Sequence, residues 1–286
     1  IVTNNYVTGE YSVNLIVSNG AGTVTNRLRT ACVVSVPETI YVATFGSPSV
    51  PYGTWEDAAT NLADAVAIQQ SGGLILLTNG YHGVSQEIVV EKNVVIRGVN
   101  GPVDTVVQRV GAVHFRVISL LNAGAKLEGL CIANGRAPAI TATSGSWGGN
   151  IWMSDGIISN CIIRNGYTYQ ARGAGIYMSG GLVTHSVVTN NNSDADQSGR
   201  YASGGGGVYM NGGIMQNSLL LNNRSTGRRG GGVRIASGQV RNCLISGNTV
   251  SGSATYESHG GGAALDGTAQ LINCTVVGNS VNVQAG

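Results

Sequence analysis

The sequence predicts an all-β chain whose body is a β-solenoid, a parallel β-helix. Three observations carry that prediction. A glycine-led segment recurs five times, with spacings of 25 to 32 residues between equivalent positions. Within each segment apolar and polar residues alternate with period 2, the signature of strands rather than helices. Glycine supplies 44 of 286 residues while charged residues supply only 10%, against about 25% charged in an average soluble domain.

Composition also excludes classes. There is no Gly-X-Y period and there are only 5 Pro, so collagen is ruled out. At 42% hydrophobic residues the chain can bury a core, which argues against disorder. A formal charge of +2 carries no nucleic-acid footprint. No apolar run reaches 18 residues, so no transmembrane helix is expected. The chain opens on Ile1 and stops at Gly286 directly after a repeat, and it reads as an excised piece of something longer.

Residues 1–36 come first. Their strong alternation and the Ser-Asn-Gly turn at 18–20 predict two strands joined as a hairpin. Two strands are not a stable module alone. They are either the end of a preceding β-sandwich or a strand pair added to the solenoid.

Residues 37–71 form a linker strand and a capping helix. Thr54 with Asp57 resembles a capping box, and Trp55, Ala59, Leu62 and Val66 share one apolar face. A helix there covers the open edge of the first coil.

The solenoid is expected from residue 72 to about 281, roughly seven or eight coils at this period, within a domain assigned to 72–286. The clearest repeats begin at Gly148, Gly173, Gly205, Gly230 and Gly260. First-strand anchors Ile151, Ile176, Val208, Val233 and Ala263 move together with second-strand anchors Cys161, Ser186, Ser218, Cys243 and Cys274. Insertions therefore sit in one loop between coils. No cap follows Val281, so a further domain or end-to-end stacking is expected there.

The five cysteines include no CxxC, so neither a zinc site nor a disulfide framework is indicated. Cys161, Cys243 and Cys274 share a register with Ser186 and Ser218 and read as small, inert interior residues. Leu130 joins this register if Asn134 matches Asn165. Asn forms two rows. One is Asn160, Asn217, Asn242 and Asn273, broken by His185; the other is Asn191, Asn223, Asn248 and Asn279. Both are structural, serving left-handed corners or hydrogen-bonded ladders.

The GG-x-[IV]-[YW] and N-C-x-[IV]-x-x-N repeats resemble those of right-handed parallel β-helix proteins of the pectin-lyase-like superfamily. IYVATFGS, TWEDAATNLADAV and GGLILLTNGYHG are similar to the opening of such domains in bacterial extracellular proteins. The GG and NxxN alternation is also similar to that of chlamydial polymorphic outer-membrane proteins. Residues 10–36 resemble the last strands of a PKD-like domain. The resemblance implies a right-handed coil and a secreted or cell-surface location.

Many members of that superfamily cut polysaccharides, which takes a carboxylate pair, or a Ca²⁺ cluster with a base. From residue 148 on, Asp155, Asp194, Asp196, Glu257 and Asp266 are the acids, and none recurs in register. Asp194, Asp196 and Ser198 copy the start of a calcium loop, but its twelfth position is Gly205.

The inter-coil loops carry Tyr167, Tyr169, Arg172, Arg200, Tyr201, Arg224, Arg228, Arg229, Tyr256 and His259. If these loops stack, they make a basic, Tyr-lined ridge. Arg forks match carboxylate or sulfate, and aromatic faces stack on sugars. The expectation is a non-enzymatic surface solenoid, either structural, adhesive or self-assembling. It binds an acidic polysaccharide through the ridge, needs no cofactor beyond Ca²⁺, and associates end to end or by strand addition through residues 1–36. The alternative is a polysaccharide lyase or glycoside hydrolase.

Overall fold

The structure is a computed structural model that describes residues 9–19, 22–137, 147–194, 204–226, 229–253 and 258–284. Apart from one short helix it is built of strands. From Thr39 onward these strands stack in parallel, coil upon coil, in a solenoid-like arrangement.

Each regular coil presents four faces. In one coil they are Ile151–Met153, Ile157–Ser159, Ile162–Arg164 and Tyr167–Tyr169, here faces I to IV. The next coil repeats them as Ile176–Met178, Leu182–Thr184, Val187–Thr189 and Asn192–Asp194, each in register with its predecessor. In the two following coils faces I and II fuse into single strands, Val208–Gln216 and Val233–Arg241. Face II reaches furthest upstream. Thr39–Val42 pairs with Leu74–Leu77, which pairs with Val95–Gly98. Stacking thus begins before residue 72, within the segment read as a linker strand.

Inward residues form columns. Ile118, Ile151, Ile176, Val208 and Val233 stack on face I. Ile163, Val188, Leu220 and Ile245 stack on face III, all fully buried. Because side chains alternate across a strand, a three-residue strand on face II, III or IV sends only its central residue inward.

Two left-handed corners shape the later, regular coils. Between faces II and III stand Asn160, His185, Asn217, Asn242 and Asn273, with φ of 48° to 52°. Between faces III and IV stand Asn134, Asn165, Asn190 and Asn222, then Gly247 and Gly278, with φ of 54° to 67°. His185 therefore fills a corner slot, as expected from the row it interrupts. The second Asn row read from the sequence lies one residue beyond these corners and does something else. Asn191 Nδ2 donates to Asn223 Oδ1 (2.9 Å), Asn223 to Asn248 (3.0 Å) and Asn248 to Asn279 (2.9 Å). Asn191, Asn223 and Asn248 are buried, so the amides satisfy each other and the turn backbone in a dry interior.

The small-residue column runs Leu130, Cys161, Ser186, Ser218, Cys243, Cys274, as the strand registers require. The backbone N–H of Cys161 donates to Ser186 Oγ and that of Ser186 to Ser218 Oγ, both 3.1 Å. Burial pushes the Cys161 thiol up to about 12 even against hydrogen bonds from the Leu130 and Ser159 backbone. That thiol is inert packing.

The helix differs from its sequence reading. It spans Leu62–Ile68 with Asn61 as N-cap, whose side chain accepts from the Ala63 N–H. Thr54 and Asp57 do bond to each other, but they close a turn. The cause is Ala59. Its N–H donates to Tyr41 O and its carbonyl accepts from Ala43. Backbone committed to that pairing with the first stacked strand cannot also be helical. Trp55, expected on the buried helix face, is 39% exposed and lies against Tyr41. Leu62, Ala65 and Val66 are buried, as expected of an apolar face. Lys92 Nζ donates to the Ala67 and Gln69 carbonyls at the helix C-terminus, where a cation is favoured.

Gly9–Asn19 and Gly22–Val34 pair antiparallel, Asn19 opposite Gly22, as a separate two-stranded sheet. This is the hairpin expected from the sequence.

Candidate functional site

The segments read as loops begin as strands. Tyr167–Tyr169, Asn192–Asp194, Arg224–Thr226, Thr249–Ser253 and Ser280–Gln284 make face IV, a five-stranded parallel sheet. Their inward residues Thr168, Ser193, Ser225 and Val250 are buried, and three of these four are polar. That weak apolar content hid the face in the sequence.

Period-2 alternation turns Tyr167 and Tyr169 outward around Thr168. Arg136 bridges to Tyr167 from the preceding coil, and its guanidinium lies 4.7 Å over the Tyr167 ring. Among the described residues no carboxylate pairs with it. His114 completes a cavity of about 300 Å³ lined also by Arg136, Ala137, Tyr167 and Tyr169. Slight desolvation, then the charges of Arg136 and Arg109, lower the His114 pKa and so favour the neutral imidazole. Arg109 braces this wall by donating to the carbonyls of Gly111, Val113 and Asn134.

Asp194 lies beside the cavity, in register with Tyr169. Its carboxylate accepts from Tyr167 Oη (3.1 Å) and from Thr226 Oγ1 (2.7 Å). Burial and the Asp194 charge raise the Tyr167 pKa, so the phenol stays a donor. Both carboxylate oxygens of Asp194 are thus engaged within the sheet. Asp196 and Ser198, the other residues of the calcium-loop motif, lie outside the described residues. Among the described residues no group of three or more His, Cys, Asp or Glu is placed to hold a metal.

The predicted ridge divides. Tyr167 and Tyr169 come together with Arg136 and His114, which the sequence reading did not include. Arg224 projects from the same sheet and bonds Ser251 Oγ through Nε and Nη2. Arg172 and Arg229 leave the ridge and cover face I. There Trp147, Tyr177 and Tyr209 stack, with ring centroids 4.7 and 5.5 Å apart. Arg172 lies 4.8 Å over Tyr209 and 5.7 Å over Trp147, and Arg234 lies 5.5 Å over Tyr209. Arg229 and Arg234 both pair with Asp266. Burial opposes ionisation of Asp266, but these two arginines win and hold its carboxyl below the usual range. Tyr177 and Tyr209 are only 3% exposed, so these two rings are packing and offer no face to a sugar. Tyr169, at 42% exposure, does. Arg200, Tyr201, Arg228 and Tyr256 lie outside the described residues.

The site can therefore hold an anion against a pre-oriented guanidinium that has no carboxylate partner among the described residues, while an aromatic face contacts the ligand's apolar side. Arg136 escaped the sequence reading because it precedes the clear repeats; the register that brings it beside Tyr167 is a property of the stack. Among the described residues no helix is long and apolar enough to cross a membrane. Comparison with family models, with curated proteins and with solved structures returns no match for this chain.

Proposed function

We propose that the chain is a non-enzymatic, acidic-glycan-binding β-solenoid that acts outside a bacterial cell, secreted or at its surface, as an adhesive or structural element. The coil is right-handed and of the pectin-lyase-like type. The general preference for right-handed crossovers between parallel strands supports that hand. Residues 1–36 serve as a strand-pairing element toward neighbouring chains. The observation that carries the binding reading is the cavity where Arg136, stacked on Tyr167 and free of any carboxylate partner among the described residues, meets Tyr169 and His114. Uronate or sulfate groups match the guanidinium fork, and a pyranose face matches the tyrosine ring.

Titration calorimetry of the purified chain against uronate-bearing, sulfated and neutral oligosaccharides, with and without Ca²⁺, tests this. Binding to the acidic set is expected, lost in Arg136→Gln and weakened in Tyr169→Ala. Equal binding by Arg136→Gln, or no binding across the panel, overturns the site. Shortened oligosaccharides after incubation would replace the reading with a lyase or hydrolase.

A further inference from the structure

Cys243 and Cys274 are consecutive rungs of the small-residue column. Leu244 pairs with Thr275 in register, so the residues just before them stand one coil apart. Neighbouring strands lie about 4.7–4.9 Å apart, inside the window of roughly 4.4–6.8 Å that a disulfide requires between Cα atoms, and a small tilt of the two side chains toward each other brings the Cβ atoms within the required ~3.5–4.5 Å. Both thiols are free. Each thiol donates within its own corner, Cys243 Sγ to Arg241 O and Cys274 Sγ to Ile272 O, both 3.2 Å. No other described cysteine has a cysteine on the adjacent rung. Cys161 stacks between Leu130 and Ser186, and Cys131 between Val106 and Ile162.

The two thiols differ in access. Cys243 is 3% exposed, and its Sγ faces Arg241 O at 3.2 Å. Cys274 is half-buried, its Sγ 3.2 Å from Ile272 O. A surface groove of about 450 Å³ runs along this corner, and Asn217, Asn242, Cys243, Asn273 and Thr275 are among the residues lining it.

We propose that Cys243 and Cys274 are a modification site, which exchange with a low-molecular-mass disulfide converts into a cystine stapling these two coils. In the first step the Cys274 thiolate, its proton lost to water, attacks one sulfur of the external disulfide and expels one thiolate. In the second the Cys243 thiolate attacks the Cys274 sulfur of the mixed disulfide and expels the other. Two protein thiols are oxidised and one external disulfide is reduced to two thiols. Burial, with smaller contributions from Cys274, pushes the Cys243 thiol up to about 11. The second step therefore accelerates with pH.

The test is incubation of the folded full chain with oxidised glutathione, followed by intact-mass measurement and peptide mapping of blocked thiols. The expected product has lost two hydrogens, carries a 243–274 linkage, forms faster at higher pH and melts at a higher temperature. Cys243→Ser should stop at a glutathione adduct on Cys274, and Cys274→Ser should leave Cys243 unmodified. Serine already fills two rungs of this column, so neither variant threatens the fold. A stable double adduct, linkage of either residue to another cysteine, or two unreacted thiols while the urea-unfolded chain reacts fully, overturns the proposal.

Discussion

A Cβ on Gly166 would lie 2.6 Å from the Nδ2 of Asn150, the amide that occupies the ladder slot Gly166 leaves open. Asn150 Nδ2 donates to Asn191 Oδ1 (3.2 Å), and its Oδ1 accepts from the Gly135 N–H (2.7 Å). In the next coils the two roles are exchanged. Asn191, Asn223 and Asn248 supply the rung, and glycines 175, 207 and 232 make room for it, since a Cβ on each would sit 2.9 Å from the ladder amide. Either side of the corner can provide the rung, but only one can in any coil.

That exchange predicts a double-mutant rescue. Asn150→Gly should cost about 1–3 kcal/mol by leaving buried backbone groups unpaired. Gly166→Asn should cost at least as much, since its Cβ would meet both the Ala174 carbonyl and the Asn150 amide. The double variant removes only the amide collision and should recover part of the combined loss. Urea unfolding of the four proteins measures this, and additive losses would refute the exchange.

The ladder itself predicts a graded cost. Asn223→Ala removes the acceptor for the Asn191 N–H and the donor to the Val188 carbonyl. A loss of roughly 2–4 kcal/mol is expected, as two buried partners go unsatisfied together. Asn217→Ala at the exposed corner should cost less, about 1 kcal/mol, chiefly through left-handed backbone strain, since the bond it accepts from Asn242 is solvent-exposed. Chemical denaturation midpoints rank the two.

The strip on face I predicts a packing effect without a binding effect. Tyr177 lies between Trp147 and Tyr209 and is 3% exposed. Tyr177→Ala should destabilise the chain by about 3–5 kcal/mol and leave oligosaccharide affinity unchanged at temperatures where it stays folded. Loss of affinity in the folded variant would move the site to face I.

His82 predicts an acid limb. Its Nε2 donates to Thr78 O (2.8 Å) while Nδ1 is buried without a partner among the described residues. Burial lowers its pKa against the opposing Thr78 hydrogen bond. Between the folded value and 6.5 the unfolded chain binds more protons, so stability rises with pH there. It should be complete above pH 6.5 and fall as pH drops below it, until His82 protonates in the folded state. Unfolding midpoints from pH 8 to 5 show this limb, and His82→Leu should flatten it.

By itself the sequence determined the repeat, the strand-rich coils, the left-handed Asn corners, the small-residue column and the hairpin. Each is a local property, written in period-2 alternation or in residues that tolerate positive φ. The stack decided the rest. Face IV is read as loop because Thr168, Ser193 and Ser225 face inward without an apolar signal. The helix starts at Leu62 because Ala59 is held by strand pairing with Val42. Arg136 reaches Tyr167, and Arg172 turns to Tyr209, through contacts between coils that no single segment encodes. Parallel stacking brings together residues about one coil apart in sequence, and their register is set by the whole column of inward side chains.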